Sequence, residues 1–165
     1  MSPMNLEKIY AYALQRKREG REFFASSAGR ASHAAAAGIF SRLAAEEGKH
    51  IAYVQALLDA LKTGAHDVQP DSELMGGGLF AQRAASEALD QTMIESMVPD
   101  VTILRVAYLI ERDFAEFYEM AAAKATGEAQ DALRRLAQWE RGHEKLFKDL
   151  HHRIYEEYME MPWGG

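Results

Sequence analysis

The chain has 165 residues, 48% of them hydrophobic and 27% charged, a balance that suits one globular domain over residues 1–165. Lysine and arginine number 19 against 25 aspartates and glutamates, a formal charge of −6, so no basic excess exists for binding nucleic acid. There is no cysteine, which excludes disulfides, thiolate zinc sites, iron–sulfur clusters and cysteine nucleophiles, and leaves any metal to nitrogen and oxygen donors.

The N-terminus lacks a basic start followed by an apolar stretch, so no signal peptide is expected. Charges interrupt every apolar region before the ~20 residues needed to cross a bilayer. The expectation is a cytoplasmic protein with no membrane partner.

Helical periodicity dominates, with little of the strict alternation that strands require. The first predicted helix runs from Leu6 to Ala28, with Tyr10, Ala13, Leu14, Phe24 and Ala28 on one face. The second runs from Gly38 to Leu61 and aligns Phe40, Leu43, Ala44, Ile51, Val54, Leu58 and Leu61. A long connection over 62–99 follows, with Pro70, three glycines at 76–78 and a weaker helical segment from Phe80 to Met97. Pro99 and Asp100 then mark the start of a third long helix, Val101 to Lys124, carrying Leu104, Ala107, Tyr108, Phe114, Tyr118 and Ala121. After a turn at Gly127 the fourth, Ala129 to Tyr158, aligns Leu133, Leu136, Ala137, Phe147, Leu150 and Ile154. Two helical hairpins joined by a long crossover predict an all-α four-helix bundle.

The hairpins look like copies of one another. The stretch from Lys17 to Phe24 parallels Glu111 to Tyr118, and Leu43-Ala-Ala-Glu-Glu-Gly-Lys-His50 parallels Leu136-Ala-Gln-Trp-Glu-Arg-Gly-His143. Polar residues break the apolar stripes at matching places. Glu47 and His50 interrupt the second helix, Glu140 and His143 the fourth, and Glu111 the third. Each Glu-x-x-His sets a carboxylate and an imidazole on one face within a turn. An unpaired inward carboxylate costs several kcal/mol, on the order of ~3–5, or titrates to neutral. A divalent cation removes that cost by taking both donor types. Glu47, His50, Glu111, Glu140 and His143 are therefore expected to meet mid-bundle as metal ligands, although a hydrogen-bonded core network without metal is the bland alternative.

These motifs resemble the rubrerythrin branch of the ferritin-like superfamily over essentially the whole chain. Glu111 with Phe117–Tyr118 matches one part of the family pattern, and Leu43 to His50 matches the Leu-Ala-x-Glu-Glu-x-x-His part. The resemblance implies a ferritin-like bundle of two duplicated hairpins with an extra short helix in the crossover. It also implies a non-haem di-iron centre that reacts with hydrogen peroxide or dioxygen. Glu47 and Glu140 would bridge the ions, His50 and His143 would each hold one, and Glu111 would be a terminal ligand. Rubrerythrins proper carry a cysteine-rich electron-feeding domain, so this chain is expected to draw electrons from a separate donor protein. Bundles of this kind often associate, and a homo-oligomer such as a homodimer is expected.

The departure from the family pattern is Lys17, where the first helix should supply a further Glu. A protonated lysine cannot ligate a metal. Two ions held asymmetrically, one ion, or a salt-bridged site without metal all remain open, as do non-catalytic storage and zinc or manganese in place of iron. Tyr10, Tyr108 and Tyr118 are read as core. His33, His66, His151 and His152 are read as surface residues. Trp163 fits either an oligomer contact or a frayed tail.

Overall fold

A computed structural model describes residues 4–31, 34–75 and 98–162. Four long helices account for most of them: α1 (Leu6–Arg30), α2 (Ala34–Thr63), α4 (Val101–Lys124) and α5 (Gly127–Glu160). A one-turn helix, α3 (Ser72–Met75), lies in the crossover, and a 3₁₀ turn at Val98–Asp100 leads into α4. No strand occurs among the described residues. The predicted Phe80–Met97 helix, His33 and Trp163 lie outside the described residues.

Local chemistry sets the helix ends. The Asn5 side chain caps α1 by accepting from the Lys8 backbone N–H at 3.0 Å, with Glu7 in the first turn and Arg30 in the last. Gly64 ends α2 in the left-handed conformation (φ 74°) and returns its N–H to the Ala60 carbonyl at 2.8 Å. A side chain at that φ would be strained.

The core divides into two apolar clusters. One joins Tyr10 and Leu14 of α1, Val54 and Leu58 of α2, Phe114 and Tyr118 of α4, and Leu133 and Leu136 of α5. The other joins Phe24, Phe40 and Leu43 with Leu104 and Ala107, and with Phe147, Leu150 and Ile154. The first cluster therefore gathers the starts of α1 and α5 with the ends of α2 and α4. It follows that α1 and α5 run one way and α2 and α4 the other. The crossover must then travel the length of the bundle, about 45 Å for a 30-residue helix. This is an all-α, ferritin-like four-helix bundle, as the duplicated hairpins predict. The polar residues that interrupt the stripes fall between the two clusters.

Four stripe positions are less buried than expected: Ala28, Ile51 and Tyr108 are half-buried, and Leu61 is exposed. Leu61 is 44% exposed, because α2 there faces the open cleft formed with the loop after Gly64 and the start of α5. Tyr108 is half-buried and packs edge-on against His151 at 5.6 Å, which leaves His151 half-buried too rather than on the open surface. His66 and His152 are exposed, beside Glu128 (3.3 Å) and Glu156 (3.2 Å).

Candidate metal centre

All four long helices contribute to one polar cluster at mid-bundle. Lys17 of α1, Glu47 and His50 of α2, Glu111 of α4 and Glu140 of α5 have no exposed surface, and His143 of α5 is 3% exposed. The five expected ligands are thus together, with Lys17 among them. Glu19 and Glu22 of α1 face solvent and offer no substitute carboxylate.

Lys17 holds two of the carboxylates at once. Its Nζ donates to Glu47 Oε2 at 2.8 Å and pairs with Glu140 Oε1. The other oxygens of those carboxylates turn towards His143: Glu47 Oε1 and Glu140 Oε2 each lie 3.9 Å from its Nδ1. Glu111 Oε2 reaches the same nitrogen from α4 at 3.5 Å. On the Lys17 side, His50 Nδ1 approaches Glu140 Oε1 at 3.3 Å and Glu47 Oε1 at 3.8 Å.

A residue that the stripes did not identify completes the cluster. Glu46 is 5% exposed and accepts from His143 Nε2 at 2.8 Å. Since an ionised carboxylate only accepts, this bond places a proton on Nε2 and leaves Nδ1 facing the carboxylates. In the other hairpin the matching position is Trp139, whose ring stacks on His50 at 5.1 Å. The two imidazoles stack on each other at 5.5 Å and 6°.

The charges of the metal-free cluster are strongly coupled. Burial alone would lower the Lys17 ammonium, but Glu140, Glu47 and Glu111 outweigh it and hold the group well above the usual lysine range. Burial works against the Glu140 carboxylate too, yet Lys17 and its hydrogen-bonding neighbours keep it well below the usual range. Glu111 is not paired with Lys17 in this way, and its nearest cationic group is His143 at 3.5 Å. Burial, reinforced by the nearby charges of Glu140 and Glu47, pushes its carboxyl well above the usual value, against the pull of His143. His143 is disfavoured as a cation by burial, but Glu111 and Glu46 more than compensate and raise it. The Tyr118 hydroxyl, buried beside this cluster without a hydrogen-bond partner, is pushed up mainly by burial.

Ligand atoms of Glu47, Glu111, Glu140 and His143 lie within 4.8 Å of one another. Both oxygens of Glu111 and Oε1 of Glu47 are buried without a hydrogen-bond donor. Four convergent oxygen and nitrogen donors, with unmet lone pairs on Glu111 and Glu47, fit a divalent ion such as iron, zinc or manganese. On the His50 side the same two shared carboxylates face an ammonium, which has only donors to offer.

The rubrerythrin family profile matches residues 8–151. No curated protein and no solved structure gives a match. No described helix is long and apolar enough to cross a membrane. A family match that runs from the first turn of α1 well into α5 takes in every residue of the buried cluster, and the chain therefore belongs to the rubrerythrin family.

Proposed function

We propose that the protein is a rubrerythrin-like metalloprotein that holds iron in its buried carboxylate–histidine cluster and reacts with hydrogen peroxide or dioxygen, using electrons from a separate donor protein. The observation that carries this reading is the convergence of Glu47, Glu111, Glu140 and His143 donor atoms within 4.8 Å inside the apolar core. Bound iron would supply redox change and Lewis acidity.

The chain's own groups prepare the site. Glu46 fixes the His143 tautomer, so that Nδ1 is the nitrogen available to a metal. Glu111 and His143 titrate as a coupled pair that is biased towards retaining a proton in the metal-free state and gives it up when a cation arrives. Lys17 keeps Glu140 ionised and holds both Glu47 and Glu140 in place. The apolar clusters on either side exclude bulk water, which strengthens every charge interaction between them.

Anaerobic loading with Fe(II), removal of excess metal and elemental analysis test the binding step. Retained iron that is oxidised on adding peroxide or air-saturated buffer, with the two rates compared, is the expected result. Failure to retain iron would sink the reading. A second reading is favoured by the paired Lys17: a structural, metal-free ion cluster. In that case divalent ions leave the unfolding temperature of the chelator-treated protein unchanged.

A further inference from the structure

We infer that the Lys17 ammonium stands in the place of one of the two metal ions, so that the centre takes a single divalent ion on the side of Glu111 and His143. This rests on the metal-binding reading above and specifies how many ions that site accepts, and where.

Three independent asymmetries between the duplicated hairpins agree. The first is the division of the shared carboxylates. Glu47 and Glu140 each give one oxygen to Lys17 Nζ; the second oxygen of Glu140 lies 3.9 Å from His143 Nδ1, and that of Glu47 sits between the two imidazoles, 3.9 Å from His143 Nδ1 and 3.8 Å from His50 Nδ1. Two carboxylates thus span two positions, and one position already contains a cation. A second ion placed there would meet an ammonium at close range, with no solvent to screen the repulsion.

The second asymmetry is the seat built for the lysine. Lys17 corresponds to Glu111 and Gly20 to Phe114 in the hairpin repeat. The Phe114 ring enters the space that Gly20 leaves: a Cβ on Gly20 would come within 3.2 Å of it. The ring then lies 4.4 Å from Lys17 Nζ, a cation–π contact on a side the carboxylates leave uncovered. The exchange of carboxylate for lysine is therefore matched by a change of neighbour that suits a cation.

The third is the support behind each histidine. A ligating imidazole usually donates its other N–H to a carboxylate or carbonyl. His143 has that partner in Glu46 at 2.8 Å. His50 has Trp139 stacked on its face, and its Nε2 stands 4.0 Å from Glu46, beyond hydrogen-bond reach. The His143 half thus has the supporting carboxylate that the His50 half lacks.

Equilibrium dialysis of the whole protein against Zn(II) and against anaerobic Fe(II), read by elemental analysis, tests the count. One ion per chain is expected for the wild type and two for Lys17→Glu. Should Lys17→Glu fail to fold, the wild-type count still decides, together with anomalous scattering from zinc-loaded crystals, expected beside Glu111 and His143. Two ions in the wild type would overturn the single-ion inference and leave the metal-binding reading intact. A folded Lys17→Glu protein that still takes one would also overturn it. No ion in either protein would overturn the metal-binding reading, and the inference with it.

Discussion

Glu46 does its work through another residue. Its carboxylate receives the His143 Nε2 proton at 2.8 Å in a site with almost no solvent, so the imidazole has one tautomer and one orientation. Removing such a support typically weakens metal binding about 10–100-fold. Glu46→Ala should therefore reduce affinity for Zn(II) by a factor in that range while leaving the helical fold intact, as measured by competition with a chromogenic chelator and by circular dichroism. An unchanged affinity would show that His143 is positioned without it. The five clustered residues expected as ligands were legible from the sequence because each breaks an apolar stripe, four of them at matched positions in the repeat. Glu46 was not, because it lies about 100° around α2 from Glu47, on the flank where α5 packs rather than on the stripe. Its counterpart Trp139 carried a faint signal, since an aromatic there implies a packed neighbour. Lys17 was visible as a substitution, but its seat was not: Phe114 read simply as core, and only tertiary packing brings its ring against Gly20 and the ammonium.

At the level of whole helices, Phe147 ties three of them together. From α5 its ring stacks on Phe24 of α1 at 6.0 Å and on Phe40 of α2 at 6.4 Å, with almost parallel planes. It lies one turn beyond His143 and forms the apolar floor on that side of the charged cluster. Phe147→Ala should cost about 3–5 kcal/mol, the usual range for emptying a buried aromatic site. A urea midpoint shift corresponding to less than about 1 kcal/mol would mean that the cluster collapses to fill the space. Helix existence followed from periodicity, and α4 has the expected bounds because Pro99 and Asp100 fix its start. The other long helices extend past their predicted ends. Ala34 begins α2 four residues before Gly38, and α5 starts at Gly127 rather than Ala129. Apolar stripes mark where a helix is buried, and these extra turns lie beyond the stripe.

For the molecule as a whole, the charged layer between two apolar clusters makes stability depend on pH in a direction that metal should reverse. His143 is raised in the fold, so its contribution is complete below about 6.5 and is lost as pH climbs through the folded value. Glu111 is raised as well. The native state keeps a proton that the unfolded chain releases above about 4.5, so stability falls as pH rises beyond that point. Glu140 is depressed and acts oppositely: its contribution is present above about 4.5 and is lost as pH falls through its folded value. Lys17, raised, contributes throughout the neutral range and is lost only as pH climbs above about 10.5 towards its folded value. Above about pH 6.5 the proton retained by the coupled Glu111–His143 pair dominates. Each proton retained only by the native state weakens folding by about 1.4 kcal/mol per pH unit. Exposed pairs such as Arg16–Glu19 and Lys145–Asp149 add little, and ~0.15 M salt screens them. The urea midpoint of chelator-treated protein should therefore fall as pH rises above about 6.5. With saturating Zn(II) the slope should flatten or invert, because binding requires Glu111 and His143 without their protons and so strengthens as pH rises. A metal-free midpoint that is flat or rises above that pH would show that the pair does not retain its proton in the fold.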